Sequence, residues 1–330
     1  MQVCKKCLLN DNMPSVRINE DGLCNLCSTQ YESRGIVNNN EEEISSLIKA
    51  NREEKYQIIL AYSGGKDSTY SLKMIKERYD ASILAVTFDN GFLSDTCLKN
   101  IRTVTDNLDV DSIIIKYPAK KIIRAFKYIE DGKFFPRQSM ERASAICNMC
   151  IMLIKNLIYY EAIIRRIPII CFGWTPGQVM TSKPLIKLNY TMVLKGFENI
   201  KNIITSRFGA RYEKYFLDDA FMRENEANMP YLYYPFVKNN YKEDSVIEEI
   251  KEIGWIPPQN TDGNSSNCLL NSYANQCHVS KFGYHPYAFE ISNLIREGYL
   301  TREEGLTKIG NVANPCSYKM ICEQFEKITG

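Results

Sequence analysis

The sequence predicts an α/β protein whose centre is a doubly wound parallel sheet, preceded by a zinc-ribbon module and followed by a helical region. Three observations carry this expectation. From residue 57 short β-rich runs alternate with helical stretches, two CxxC pairs fall within residues 1–35, and the pattern from about 181 to 330 is mostly helical. Alternation of strand and helix is what βαβ units on a parallel sheet look like in sequence.

Residues 1–35 contain Cys4-x2-Cys7 and Cys24-x2-Cys27 but few apolar residues, so burial alone cannot hold them together. Four thiolates at this spacing predict a structural Zn²⁺, and a site made of four cysteines leaves no open coordination position for catalysis. Residues 36–56 read as a polar linker that becomes a charged amphipathic helix. Residues 57–180 are expected to form the nucleotide-binding domain. Within it YQIILAY, ASILAVTFDNGF, DSIIIKY and PIICFGW read as strands, with helices at STYSLKMIKERY, near 94–108 and at roughly 149–166. Residues 181–330 are expected to complete the substrate side. They include the aromatic cluster YLYYPF and a helix opened by Thr301-Arg302-Glu303-Glu304, which has capping-box spacing.

Forty-one Lys and Arg against 39 Asp and Glu leave a net charge of +2, so no global basic field argues for nucleic acid. The opening MQVCKKCLLN has no apolar core of a signal peptide, and no run of about 18 apolar residues is evident. A cytoplasmic location is expected. There, 12 cysteines would stay reduced, and those at CxxC spacing point to metal or redox chemistry.

The strongest chemical signal is Ser63-Gly64-Gly65-Lys66-Asp67-Ser68, set between a buried strand and a helix. Adjacent glycines let several backbone N–H groups converge on one anion at a helix N-terminus. Ser63 and Ser68 add hydroxyl donors, and Lys66 adds a cation. The spacing is not that of a Walker A loop. The turn-rich stretch from Gly173 to Gly177 closes a later strand, where an open α/β sheet places ligand contacts.

This string resembles the PP-loop of the adenine nucleotide alpha-hydrolase superfamily, the ATP pyrophosphatases that include GMP synthetases, tRNA-thiolating enzymes and sugar amidotransferases. The resemblance implies ATP cleaved between its α and β phosphates. Ser63, Gly64, Gly65, Asp67 and Ser68 would cradle the β and γ phosphates beside Lys66. Phe88 and Asp89, in the segment Thr87 to Gly91, would stand near the adenine, and Mg²⁺ would be held through Asp67.

Cys147-x2-Cys150 needs a further ligand. Cys268 is the first choice, with Cys277 and Cys171 as alternatives; the cysteines also read as small buried residues or as a zinc clip with His278. The pattern resembles the iron–sulfur branch of the tRNA-thiolation enzymes, which implies a [4Fe-4S] cluster on Cys147, Cys150 and Cys268 with one iron open to carry sulfur. A second resemblance competes. The opening CKKC...MPSVRINEDGLCNLC and the ending NCLLN...KFGYHPYAFEISNLIREGYLTREE resemble N-acetyl sugar amidotransferases, which implies nitrogen from a partner glutaminase. Lys281, Phe282, Gly283, Arg296, Thr301, Arg302 and Glu303 fall in that match and read either as substrate-side residues or, in preference, as structural and helix-capping ones. The partners expected are a small-molecule or nucleotide-sugar substrate, a sulfur donor or a glutaminase, and a second copy in a homodimer. Near-neutral charge disfavours tRNA. A third reading is a zinc-ribbon interaction module on an inactive nucleotide domain, against which the intact loop argues.

Overall fold

A computed structural model describes residues 1–29, 41–179, 183–238, 241–265 and 267–329. Residues 30–35 of the expected ribbon module and 36–40 of the expected linker lie outside the described residues. The strands are β1 (Ile58–Ala61), β2 (Ile83–Asp89), β3 (Asp111–Lys116), β4 (Ile169–Phe172), β5 (Leu185–Lys187) and β6 (Tyr231–Tyr233). Before and among the first four run helices α1 (Asn25–Ser28), α2 (Glu41–Ala50), α3 (Lys66–Arg78), α4 (Asp95–Asn107), α5 (Ala119–Ile129), α6 (Arg137–Met140) and α7 (Ala145–Ile164). Later come α8 (Tyr190–Phe208), α9 (Asp219–Glu224), α10 (Glu243–Glu252), α11 (Leu270–Phe282), α12 (Ala288–Arg296), α13 (Arg302–Gly310) and α14 (Pro315–Thr329).

The six strands form one sheet in the order β3-β2-β1-β4-β6-β5, parallel except for the β5–β6 pair. The chain steps outward from β1 to β3 and then crosses back to β4 on the other side of β1. That reversal opens a crevice at the C-terminal ends of β1 and β4, the standard ligand position in such sheets. Alternate side chains face opposite layers, as a strand's period of two requires. Ile59, Val86, Phe88 and Phe172 pack toward α5, α7 and α8, while Ile58, Leu60, Ala85 and Cys171 pack toward α2, α3, α4 and α10. β1 and β4 are buried on both faces, which is why they read as continuous apolar runs.

Three expectations need correction. The sheet does not end near residue 180: β5 and β6 come from the stretch expected to be helical, and part of the aromatic cluster, Tyr231–Tyr233, is itself a strand. Strands of three residues are too short to show a period. The helix expected from roughly 149 begins earlier, so Cys147 as well as Cys150 lies in the first turns of α7, because Ser144 caps the helix by accepting from the Cys147 N–H at 3.2 Å. Finally, α7 is long and apolar enough to cross a membrane by length and composition alone. Its apolar face is spent within the fold, where Ile146, Met149, Leu153, Ile158 and Ala162 are buried in the main core.

The expected capping box on α13 is present: Thr301 accepts from the Glu304 N–H at 3.2 Å, and Glu304 accepts from the Thr301 N–H at 2.7 Å.

Candidate active site

The phosphate loop is the turn between β1 and α3. Gly64 adopts φ +69°, and a Cβ there would meet Cys97 and Ile101 at 2.8–2.9 Å, so only glycine fits. The hydroxyls of Ser63 and Ser68 lie 3.0 Å apart; Ser68 accepts from the Ser63 N–H at 3.2 Å, and Ser63 accepts from the Gly65 N–H at 3.3 Å. Beneath the loop the Cys97 thiol donates to the Ser63 carbonyl at 2.9 Å, and the Trp255 indole donates to the Gly64 carbonyl at 3.0 Å. The loop is therefore stiff before any ligand arrives.

Lys66 pairs with Asp67 at 2.9 Å and with Glu243 at 3.7 Å, and Glu243 also meets Lys308 at 2.7 Å. Burial alone would depress the Lys66 ammonium, but Asp67, Tyr241 and Glu243 outweigh it and hold its pKa well above the ordinary range. It stays a cation. Tyr241 donates to the other oxygen of Asp67 at 2.5 Å. Neither Tyr241 nor Glu243 carries a local sequence signal, because each is brought to the loop only by the tertiary fold.

A cavity of about 270 Å³ sits at the crevice. It is lined by Ser63, Gly65, Lys66, Asp67 and Ser68 of the loop, Phe88 near the end of β2 and Asn90 just after it, Gly173 and Trp174 after β4, and the cysteines 147, 150 and 268. The nucleotide loop and the cysteine trio thus open on one space. A Cβ on Gly173 would stand 2.8 Å from the Ser68 Cα, so this glycine permits the close approach of β4 to α3. Asp89 does not line the cavity. It accepts from the Gly91 N–H at 2.7 Å and pairs with Lys116 at 3.2 Å, which are a turn residue's roles.

Cys268 reaches α7 because its loop is stitched to the segment after β2. Leu93 and Cys268 form an antiparallel bridge, and the Leu269 N–H donates to the Phe92 carbonyl at 2.9 Å. The other ligand candidates go elsewhere. Cys171 is buried in the opposite core, and Cys277 lies toward Tyr273 and Glu130. His278 packs its ring on Phe282 and Tyr284, with neither ring nitrogen partnered in this structure. The Cys147 sulfur lies 3.5 Å from the Asn271 side-chain oxygen Oδ1, and Tyr287 donates to that same oxygen at 3.3 Å. Burial pushes the Cys147 thiol up to about 12 and raises Cys150 and Cys268 as well. Without a cation these three remain neutral thiols rather than nucleophiles.

Among the described residues, the one group of three or more ligand side chains whose donor atoms all lie within 4.8 Å of one another is Cys4, Cys7, Cys24 and Cys27. That separation suits one tetrahedral ion, whose thiolates stand roughly 3.8 Å apart at a Zn–S distance near 2.3 Å. The sulfurs of Cys147, Cys150 and Cys268 do not all lie within 4.8 Å of one another. The ribbon is not self-contained. Tyr284 and Phe289 complete its core, Leu8 donates to Ser292 at 3.0 Å, and Ser15 donates through N and Oγ to Glu141 at 2.5 and 2.6 Å. Arg302 donates to the carbonyls of Cys7 and Cys4 at 3.3 and 3.5 Å, and Arg296 donates to the Cys7 sulfur at 3.5 Å. These contacts give Arg296 and Arg302 structural roles.

No protein-family model matches the chain. An uncharacterised protein of Methanocaldococcus jannaschii is 24% identical over 305 residues, covering 91% of this chain and 90% of its own length. Among solved structures, a predicted subunit of tRNA methyltransferase from the same organism aligns over 70% of this chain and 90% of its own, with 12% identity and a TM-score of 0.32. An NH3-dependent NAD synthetase from Campylobacter jejuni aligns over 64% of this chain and 90% of its own, with 14% identity and a TM-score of 0.31.

Proposed function

We propose that the chain is a cytoplasmic ATP pyrophosphatase of the PP-loop type that adenylates a substrate carbonyl or amide oxygen and replaces that oxygen with sulfur. One observation carries the reading: the phosphate loop and Cys147, Cys150 and Cys268 line a single cavity. In the first step the substrate oxygen attacks the α phosphorus, the bond to the β-phosphate oxygen breaks, and pyrophosphate leaves with the electron pair. The N–H groups of the loop, the Ser63 and Ser68 hydroxyls and the Lys66 ammonium meet the charge that accumulates on the leaving group. Asp67, whose two carboxylate oxygens meet Lys66 and Tyr241 here, would hold Mg²⁺, which would neutralise charge on the leaving pyrophosphate. In the second step a sulfur nucleophile attacks the activated carbon and AMP departs with the former substrate oxygen.

The three thiols fit a [4Fe-4S] cluster better than a single ion, since they are buried, neutral as free thiols and more widely spaced than the ribbon quartet. Such a group would supply an open iron at which sulfur is presented. The ribbon cysteines fit Zn²⁺.

A nitrogen-transferring reading, with ammonia from a partner glutaminase, has its own support. The two chain ends that resemble sugar amidotransferases pack on each other, and the loop entering α12 reaches the cavity through Tyr287. Anaerobic purification separates the readings. Sulfur transfer predicts a brown protein with iron and acid-labile sulfide in addition to zinc, whose chromophore is lost on Cys→Ala change at 147, 150 or 268. A colourless protein that takes up no iron on reconstitution, yet releases pyrophosphate with a sugar substrate and ammonia, would transfer the assignment to the amidotransferase class. In either case the expected substrate is a small molecule or a nucleotide sugar.

A further inference from the structure

Asn90 was not singled out by the sequence, yet it occupies the central position among the cysteines. It follows β2 and is 5% exposed. Its side-chain carbonyl accepts from the Phe92 N–H at 2.9 Å. Because that partner is a donor, the amide can face only one way, and its NH2 end points at sulfur. The same nitrogen lies 3.5 Å from the Cys150 sulfur and 3.6 Å from the Cys268 sulfur. Two N–H bonds meet two sulfurs that belong to residues far apart in the chain.

We infer that Asn90 is a positioning residue that gathers Cys150 and Cys268 into one site and tunes the charge on their sulfurs; the tuning part rests on the sulfur-transfer reading. The Phe92 N–H locks the turn, the turn fixes the amide, and the amide fixes both sulfurs. The adjoining backbone serves the same end, since the Ser94 N–H donates to the Asn267 carbonyl at 3.2 Å and so seats the loop that carries Cys268. Both sulfurs lie within hydrogen-bond reach of one atom, which bounds their separation without any metal present. A donor to a ligating sulfur draws off negative charge and favours the reduced state of an iron–sulfur group, so its removal lowers the reduction potential.

The discriminating variant is Asn90→Asp, which keeps the acceptor for Phe92 and replaces only the two donors with an anionic oxygen. Asn90→Ser is the second variant, keeping a local acceptor but not reaching the sulfurs. In metal-free protein at alkaline pH, where a thiolate fraction forms, cross-linking of Cys150 to Cys268 by dibromobimane, normalised to the alkylation of each thiol by monobromobimane and mapped by mass spectrometry, should be efficient in the wild type and clearly reduced in both variants, with far-UV circular dichroism unchanged. Equal cross-linking in all three proteins overturns the positioning role. After anaerobic reconstitution with iron and sulfide, both variants should bind iron about 10–100-fold more weakly, the usual penalty for losing an outer-shell partner. The cluster that remains should have a lower midpoint potential. Unchanged affinity and potential overturn the tuning role. If the wild type takes up no iron, the sulfur-transfer reading fails, and the cross-linking result alone decides the role of Asn90.

Discussion

The indole N–H of Trp255 donates to the carbonyl oxygen of Gly64 at 3.0 Å, tying the tightest turn of the phosphate loop to a residue beyond α10. Trp255 is 2% exposed, so water cannot replace this bond. It turns the Gly64 carbonyl away from the phosphates that the loop is proposed to hold. Trp255→Phe keeps most of the apolar contact and leaves that carbonyl without a donor, at a cost of about 1–3 kcal/mol. Urea denaturation should register the loss, and calorimetric ATP titration should show weaker binding. Wild-type values in both would mean that the loop is preorganised by Gly64 and Cys97 without help from Trp255.

Gly173 gives a sharper test of the crevice. An added methyl would stand 2.7 Å from the Ser71 hydroxyl and 2.8 Å from the Ser68 Cα, so Gly173→Ala must push β4 away from the start of α3. Overpacking of this kind costs about 1–3 kcal/mol. The distortion falls at Ser68, so ATP-dependent pyrophosphate release should drop more than stability does. A variant that melts earlier but turns over normally would detach this glycine from nucleotide binding.

The ribbon should matter to the active site as well as to itself. Its core includes Tyr284 and Phe289, and Tyr287 between them lines the cavity. Fresh protein should contain zinc at one ion per chain even when iron is absent. Zinc removal, or Cys4→Ser, should raise hydrogen exchange in residues 1–29 and in α12 while sparing β1 and α3, and turnover should fall although ATP still binds. Exchange that rises only in the ribbon would show that the two regions are uncoupled.

Much of this was legible in the sequence because it was local. The phosphate loop, the four ribbon cysteines and the first four strands each announce themselves within a few residues. Cys268 stood out as a lone Cys in a Gly/Ser/Asn loop, and the fold sets it on the same cavity as Cys147 and Cys150. What could not be read was set by tertiary contact. Asn90 stood next to Asp89 in a run of turn residues, and only the fold shows that Asn90 faces the cavity while Asp89 pairs with Lys116. Tyr241 and Trp255 act on the loop from well over a hundred residues away, and β5 and β6 are too short for periodicity to reveal.

Lys155 leads to the last prediction. It lies on α7, one turn beyond Ile151 of the cavity wall, with its Nζ 4.9 Å from the centre of the Trp174 ring. No ion pair involving Lys155 occurs among the described residues. Burial lowers its pKa from the ordinary 10.5, and the π face of Trp174 returns only part of the lost hydration. Because the folded pKa lies below the unfolded one, the unfolded chain binds the proton more tightly. The penalty is present in full below the folded pKa and disappears as pH rises through 10.5. Lys155→Met should therefore raise the Tm at pH 7, and the gain over wild type should shrink steadily as the pH approaches 10.5. Groups that titrate alike in both proteins cancel in that difference. If Lys155 also meets an anionic part of the substrate, the stabilised variant should show a higher KM with kcat little changed. A Tm difference that stays constant across this pH range would mean that the ammonium is fully compensated where it lies.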